Sequence, residues 1–255
     1  MSAPRRQRAV EALWPTLTAL VEKASDKERM PSGDRSLATA LGVASTSVVA
    51  PGTGEILVLR PSGMLPAIGP GDDIVLEHSS PSELADLRER GAGASAEAPV
   101  FAEARKLVSA FVDFERRVLS ELIVRSVDAK STPLPSFPGG LVEAVIGARA
   151  ALDKWPGAID LLLTARDRDR LNAAKETKEA VGYALRGGSV LISSQEASGG
   201  LIAHLPGPIA IGVVEKLTLD WDLGPGSQVV LTLSTRLRYW RSEPKPKAVK
   251  LELPT

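Results

Sequence analysis

Apolar residues recur along this chain at two periods, and the switches between them mark its elements. Residues 9–23 carry Val10, Leu13, Leu17, Leu20 and Val21, which fall on one face of a helix. Pro15 lies inside that run and predicts either a helix that starts after Trp14 or a kink. Residues 25–36 (SDKERMPSGDRS) are polar and turn-rich and read as a linker or exposed loop. From 43 to 78 the runs shorten to Val48-Val49, Ile56-Leu57-Val58-Leu59 and Ile74-Val75-Leu76, separated by nine glycines and prolines from Pro51 to Gly71. Short β-type runs split in this way predict an extended hairpin with wide loops. Such an arm is marginal alone and calls for support, with a neighbouring subunit as the natural source.

A helical period returns after that. Residues 82–90 (SELADLRER) predict a short helix with Ser82 as N-cap, and residues 91–98 (GAGASAEA) a flexible join. Phe101, Ala104, Val108, Phe111, Val112, Val118, Leu119, Leu122 and Ile123 then mark a spine-like helix of about seven turns, ending near Asp128. Pro133, Pro135, Pro138, Gly139 and Gly140 form a loop; Leu141, Val145, Ala148 and Leu152 give the next helix. Ile159 to Leu163 is continuously apolar and reads as a strand buried on both faces. Thr164 is expected to cap a helix whose Arg166, Asp167, Arg168, Asp169 and Arg170 alternate in sign, and Lys175–Lys178 to break the pattern. A helix over 178–186 stops at Gly187-Gly188, a left-handed C-cap signal. Strands are expected at 189–193, 201–205, 209–219 and 228–240, and the tail (PKPKAVKLELPT) on the surface or on a neighbour. The fold class is α+β.

Composition removes whole classes of function. The chain has 255 residues, 44% hydrophobic and 24% charged, an ordinary globular profile. Its 31 basic residues balance 31 acidic ones, which argues against a general nucleic-acid binder and fits a surface that meets copies of itself. Without cysteine there are no disulfides, thiolate zinc sites or Cys nucleophiles. Arg5, Arg6 and Arg8 are not followed by an apolar run, and no stretch approaches the ~20 apolar residues of a membrane span; neither a secretory signal nor a membrane partner is expected, and the reading is cytoplasmic.

Catalytic chemistry is absent from the pattern. His78 and His204, the two histidines, each fall at a strand end with no partner at metal-ligand spacing, and read as surface or satisfied histidines. There is no nucleophile elbow, P-loop or dinucleotide fingerprint, and Gly52-Thr53-Gly54 reads as a turn. Asp72-Asp73 cannot act as a paired acid, because adjacent strand residues point to opposite faces; a solvated turn is expected. The prediction is no catalytic residue, no metal and no cofactor.

The order of elements resembles one family, the encapsulins, bacterial shell proteins with the HK97-type fold of tailed-phage capsids. Residues 72–122 are similar to the family's strand, its short helix with a Glu-Arg-Gly stop (here Glu89-Arg90-Gly91) and its spine helix. Residues 159–192 resemble its axial domain, down to the Leu-Arg-Gly-Gly turn, and 209–240 its closing strands. The likeness spans about two thirds of the chain and rests on order and spacing more than on identity.

That resemblance implies an HK97-like fold divided as follows: an N-terminal helix and linker (1–36), an extended loop or arm reaching over a neighbour (37–78), a peripheral domain with the spine helix (79–135 with 209–255) and an axial domain at the symmetry axes (136–208). It implies a homo-oligomeric icosahedral shell that holds a cargo protein through a short cargo-loading peptide. The cargo groove would involve Leu13, Leu17, Leu20, Leu217, Leu219 and Trp221, for which core packing is the competing role. Residues 174–178 (AKETK) replace what is usually a longer pore loop, which implies a wider five-fold opening lined by Lys175, Glu176, Thr177 or Lys178. Pro15 departs from the family's unbroken helix. The arm has no lysine between positions 45 and 75, so no lysine-mediated cross-link is expected there. A prophage major capsid protein enclosing DNA, and a soluble α+β enzyme or binding module, are the alternative readings.

Overall fold

The first apolar stripe becomes α1 (Ala3–Arg29), a 27-residue helix that buries Ala9, Val10, Leu17, Val21 and Ala24 on one side. Pro15 neither starts nor ends it. Pro15 is solvent-exposed, so the carbonyl that loses its N–H partner faces water and costs little. The polar stretch read as a linker from residue 25 is helical to Arg29, because Ser25 is buried and Arg29 has an acidic partner, described below. The computed structural model describes residues 3–29, 37–43, 47–69, 71–83, 97–130, 141–152, 157–164, 168–169, 175–193, 201–204, 209–241 and 247–251. A short α2 (Leu37–Ala40) follows α1.

Two compact units emerge. The first holds residues 1–31, 46–115 and 213–238; the second holds 32–45, 116–212 and 239–255. A four-stranded sheet has the order β1-β2-β8-β7, from β1 (Ile56–Leu59), β2 (Asp73–Glu83), β7 (Ile209–Leu223) and β8 (Gln228–Arg241). β8 shows the period of two most clearly, burying Val229, Leu231, Leu233, Thr235, Leu237 and Tyr239.

Here the sequence reading needs two corrections. β1 and β2 are not a hairpin: they run parallel, with Ile56 opposite Asp73 and Leu59 opposite Leu76, and residues 60–72 make the return. The many glycines and prolines serve that crossover rather than a tight antiparallel turn. Ser82 is not a helix cap. β2 continues antiparallel to β8 as far as Glu83 opposite Gln228, and Ser82 is buried opposite Val229. Among the described residues β1 pairs only with residues 73–76 of β2, so Pro81 lies on a stretch with no strand partner on that side, a place where proline is tolerated. The rest of the short helix expected over 82–90, with its Glu89-Arg90-Gly91 stop, lies outside the described residues.

The long helix is α3 (Glu97–Ser126), 30 residues, belonging to the first unit up to Glu115 and to the second from Arg116. Ala104, Val108, Phe111 and Ile123 along it are fully buried. At its end Ser126 hydrogen-bonds the buried Tyr239 hydroxyl within the second unit.

The second unit is built on a five-stranded sheet, order β3-β9-β6-β4-β5, from β3 (Asp128–Lys130), β4 (Asp160–Thr164), β5 (Val190–Ser193), β6 (Leu201–His204) and β9 (Lys247–Leu251). Leu161 and Leu163 of β4 pack with Ala144, Val145 and Ala148 of α4 (Leu141–Ala151) and Val181, Ala184 and Leu185 of α5 (Lys175–Leu185). The continuous apolar run of β4 is thus a strand covered on both faces. Thr164 is the last residue of that strand, and the start of the helix it is expected to cap lies outside the described residues. The alternating charges lie mostly outside the described residues; Arg168 and Asp169 form a neighbouring ion pair at 3.5 Å.

The tail also departs from expectation. β9 pairs with both β3 and β6, and Ala248 and Val249 are buried. Lys247 and Lys250 disguise a strand whose adjacent Ala248 and Val249, on opposite faces, are both buried.

Candidate functional site

The first unit joins its N-terminal helix to the end of β7. Trp14 and Trp221 meet with ring centroids 6.3 Å apart at 55°, a tilted arrangement favoured by the ring quadrupoles. Arg6 Nη1 donates to the Gly224 carbonyl at 2.8 Å. Leu217, Leu219 and Trp221 alternate along β7 and are half-buried, as are Leu13 and Leu20, whereas Leu17 is core at 2% exposure. Among the six residues assigned to cargo, Trp221 is the one with an aromatic partner on α1. The sequence reading missed Trp14, which its own spacing could have supplied: Trp14, Leu17 and Val21 are one face at i, i+3, i+7.

Arg29, at the last turn of α1, reaches Glu115 of α3 through two hydrogen bonds, Nη2 to Oε1 at 2.7 Å and Nε to Oε2 at 3.1 Å. The Glu115 side chain is 2% exposed, and the guanidinium also lies 5.6 Å from the Phe111 ring centre. The bidentate fork fits a planar carboxylate and leaves little freedom to the end of α1.

A second constellation holds the base of the arm. Asp73 is buried rather than solvated, and its carboxylate accepts from Arg236 (Nη2 2.6 Å, Nε 2.9 Å) and from the Gly52 N–H at 2.9 Å. Hydrogen bonding to Asp73 holds Arg236 above the ordinary arginine range, with Glu215 adding to it. Asp72 points the other way, as strand alternation demands, and accepts from Gly69 N at 2.6 Å and Glu55 N at 3.1 Å. Together the two carboxylates fasten residues 52–55 to residues 69–73. Gly52 is required by close approach: a Cβ there would lie 2.2 Å from the Gly71 carbonyl oxygen.

In the second unit, Lys175–Lys178 are the first turn of α5, not a loop; the apolar period of Val181, Ala184 and Leu185 recruits the polar residues before it. Lys178 is exposed. Beside that helix lies a groove of about 570 Å³, lined by Ile146, Arg149, Glu179, Ala180, Tyr183, Ala184 and Arg186. Arg149 donates to the carbonyls of Ala184 (2.7 Å) and Gly157 (3.0 Å), and burial together with nearby Arg186 lowers its pKa. The turn after α5 explains the Leu-Arg-Gly-Gly sequence. Arg186 and Gly187 take positive φ (49° and 85°), and at Gly188 a Cβ would lie 1.8 Å from the Ile159 carbonyl oxygen.

Among the described residues no group of three or more His, Asp or Glu could hold a metal ion, and no helix is long and apolar enough to cross a membrane. His78 lies within β2, opposite Leu233, rather than at a strand end; burial lowers its pKa. His204 is buried at the end of β6.

Compared by sequence, the chain matches no family model and no curated protein. Compared by structure, it is similar to the subunit in a crystal structure of a virus-like particle from Pyrococcus furiosus, with TM-score 0.59 and 13% identity over 93% of this chain and 98% of that one. A protein of Mycobacterium phage Che8 matches over 69% of each chain at 13% identity, with TM-score 0.46. Mixed helices and sheets in this order, matched along nearly the whole length of both chains, give the protein an HK97-type capsid fold.

Proposed function

We propose that this chain is a structural shell subunit that assembles with copies of itself into an icosahedral compartment of the encapsulin type, in the cytoplasm, around a cargo protein. The observation that carries the reading is the likeness to the virus-like-particle subunit over 93% of this chain and 98% of that one. Three features support it. Zero net charge keeps repulsion between copies low. The edge strand β1 exposes Ile56 and Val58, with Val48 nearby in sequence and Met64 93% exposed in the loop beyond, an apolar arm suited to lie on a neighbour. Among the described residues no cluster of metal-ligating side chains competes with that role.

In this account the first turn of α5, with Lys175, Glu176, Thr177 and Lys178, lines an opening at a symmetry axis. The half-buried Leu13, Leu20, Leu217, Leu219 and Trp221 present an apolar surface for a short cargo-loading peptide, while Leu17 serves the core. The test is expression of the chain alone, with negative-stain electron microscopy and light scattering on the purified product. Closed hollow particles free of nucleic acid support the compartment. Particles that retain DNA support the phage-capsid alternative, and a monomer at all concentrations overturns both.

A further inference from the structure

Gly52-Thr53-Gly54, which the sequence offers only as a turn, lies in a segment that crosses the sheet of the first unit from one edge to the other. The strand order is β1-β2-β8-β7, and residues 48–55 are fastened to each strand in turn. Val48 bridges Val213 of β7, and the Val49 N–H donates to the Val213 carbonyl at 2.8 Å. Arg238 of β8 donates from Nη1 to the carbonyls of Ala50 (3.2 Å) and Pro51 (3.3 Å). The Gly52 N–H donates to the buried Asp73 carboxylate of β2, which Arg236 of β8 also holds. Glu55 closes the series: its N–H donates to Asp72, and its carbonyl accepts the Asp73 N–H at 2.9 Å. β1 begins at the next residue.

The crossing is close enough to dictate its residues. A Cβ on Gly52 would lie 2.2 Å from the Gly71 carbonyl oxygen, and one on Gly54 would lie 2.3 Å from an Asp72 carboxylate oxygen. Burial does not account for the segment's place, since its residues are exposed or half-buried and Val48 is 56% exposed. Polar bonds from Arg238, Asp72 and Asp73 decide where it runs, and so where β1 and the loop with Met64 start. We propose that residues 48–55 are a strap that sets the direction of the arm in the free subunit, before any neighbour is met. Arg238 is its positioning residue and the Asp73–Arg236 pair its anchor. The proposal rests on the shell reading, in which the arm meets another copy. A preset arm loses less conformational freedom on that contact. Every subunit of a closed particle makes the contact, so a small change per copy becomes a large change in the concentration needed for assembly.

Amide exchange and assembly test the strap together. In the dissociated, unaltered subunit the amides of Val49, Gly52 and Glu55 should exchange about tenfold or more slowly than at their unstructured-chain rates. Arg238→Met removes the donors to Ala50 and Pro51 and leaves Asp73 with its partners. The bonds it removes lie at the exposed surface, so the urea midpoint of the dissociated subunit should hardly move. The strap amides should nevertheless exchange faster, and the concentration needed for assembly should rise about tenfold or more. Arg238→Lys, which keeps a donor, should recover part of both. Gly52→Ala pushes the strap off Gly71 from the other side and should raise the assembly concentration in the same way. Strap amides that exchange at unstructured-chain rates in the dissociated subunit and slow only in particles overturn the proposal, because the neighbour then sets the arm. Arg238→Met particles that form at the unaltered concentration overturn it too and leave the shell reading standing. An unaltered chain that forms no particles overturns the shell reading itself, whatever the exchange rates.

Discussion

Replacing Arg29 by methionine puts the anchoring of the N-terminal helix to a quantitative test. The guanidinium makes two charge-assisted hydrogen bonds to Glu115, whose side chain is 2% exposed, and lies over Phe111. Each such bond contributes about 1.5–3 kcal/mol net, and truncating one partner of a buried pair typically costs about 3–5 kcal/mol, because the remaining charge is stranded away from water. The Arg29 side chain is itself 13% exposed and sits on the last helical turn, which can fray to admit water to Glu115. The expected loss is therefore near the lower limit, about 3 kcal/mol. Urea denaturation of the dissociated subunit reads it directly. The companion variant Arg29→Met/Glu115→Leu removes both charges and should recover most of the loss, since an apolar pair of similar volume is commonly as stable as the ion pair. Amide exchange over the last turns of α1 should quicken in the single variant and return in the double. A single variant within about 0.5 kcal/mol of the unaltered chain, or a double variant worse than the single, would refute the argument that burial sets the strength of this pair.

Asp73→Asn keeps the shape of the arm's clasp but removes its charge; it should cost about 2 kcal/mol and accelerate exchange of the Gly52 amide. Gly188→Ala forces a Cβ to within 1.8 Å of the Ile159 carbonyl, so it should lower soluble yield and destabilise the second unit by more than about 2 kcal/mol, as seen by thermal denaturation. The pH dependence has a definite sign at His78. Burial lowers its folded pKa below the ordinary value of 6.5, so the unfolded chain binds the proton more readily. This contribution is fully present above pH 6.5 and is lost as pH falls through the depressed pKa. Between those two values the urea midpoint should drop for the unaltered chain and drop less for His78→Leu.

Periodicity carried most of the architecture. The spine helix, β4, β8 and the glycine stop after α5 follow from local patterns that burial then enforces, as with the alternation from Val229 to Tyr239. What periodicity could not show is pairing. β1 and β2 look like the arms of a hairpin, and only the register Ile56–Asp73 reveals them as parallel. Ser82 has the chemistry of a cap and the place of a strand residue, because β8 extends opposite it. The Asp73 clasp was read as a solvated turn, since its partner Arg236 is 163 residues away. Lys175–Lys178 read as a loop by polarity, yet a helix start needs only an apolar face downstream. For the candidate surfaces, Trp221 was legible as an apolar strand position and Trp14 was not singled out. Their contact depends on how α1 meets β7, which no local rule specifies.

The measurement closest to the central claim is cryo-electron microscopy of the chain purified alone at several concentrations. The account predicts closed particles of uniform diameter, built from repeated copies of the fold described here, with α5 at the rim of an opening. Small oligomers or monomers at every concentration, in a sample whose circular dichroism shows it folded, would contradict it.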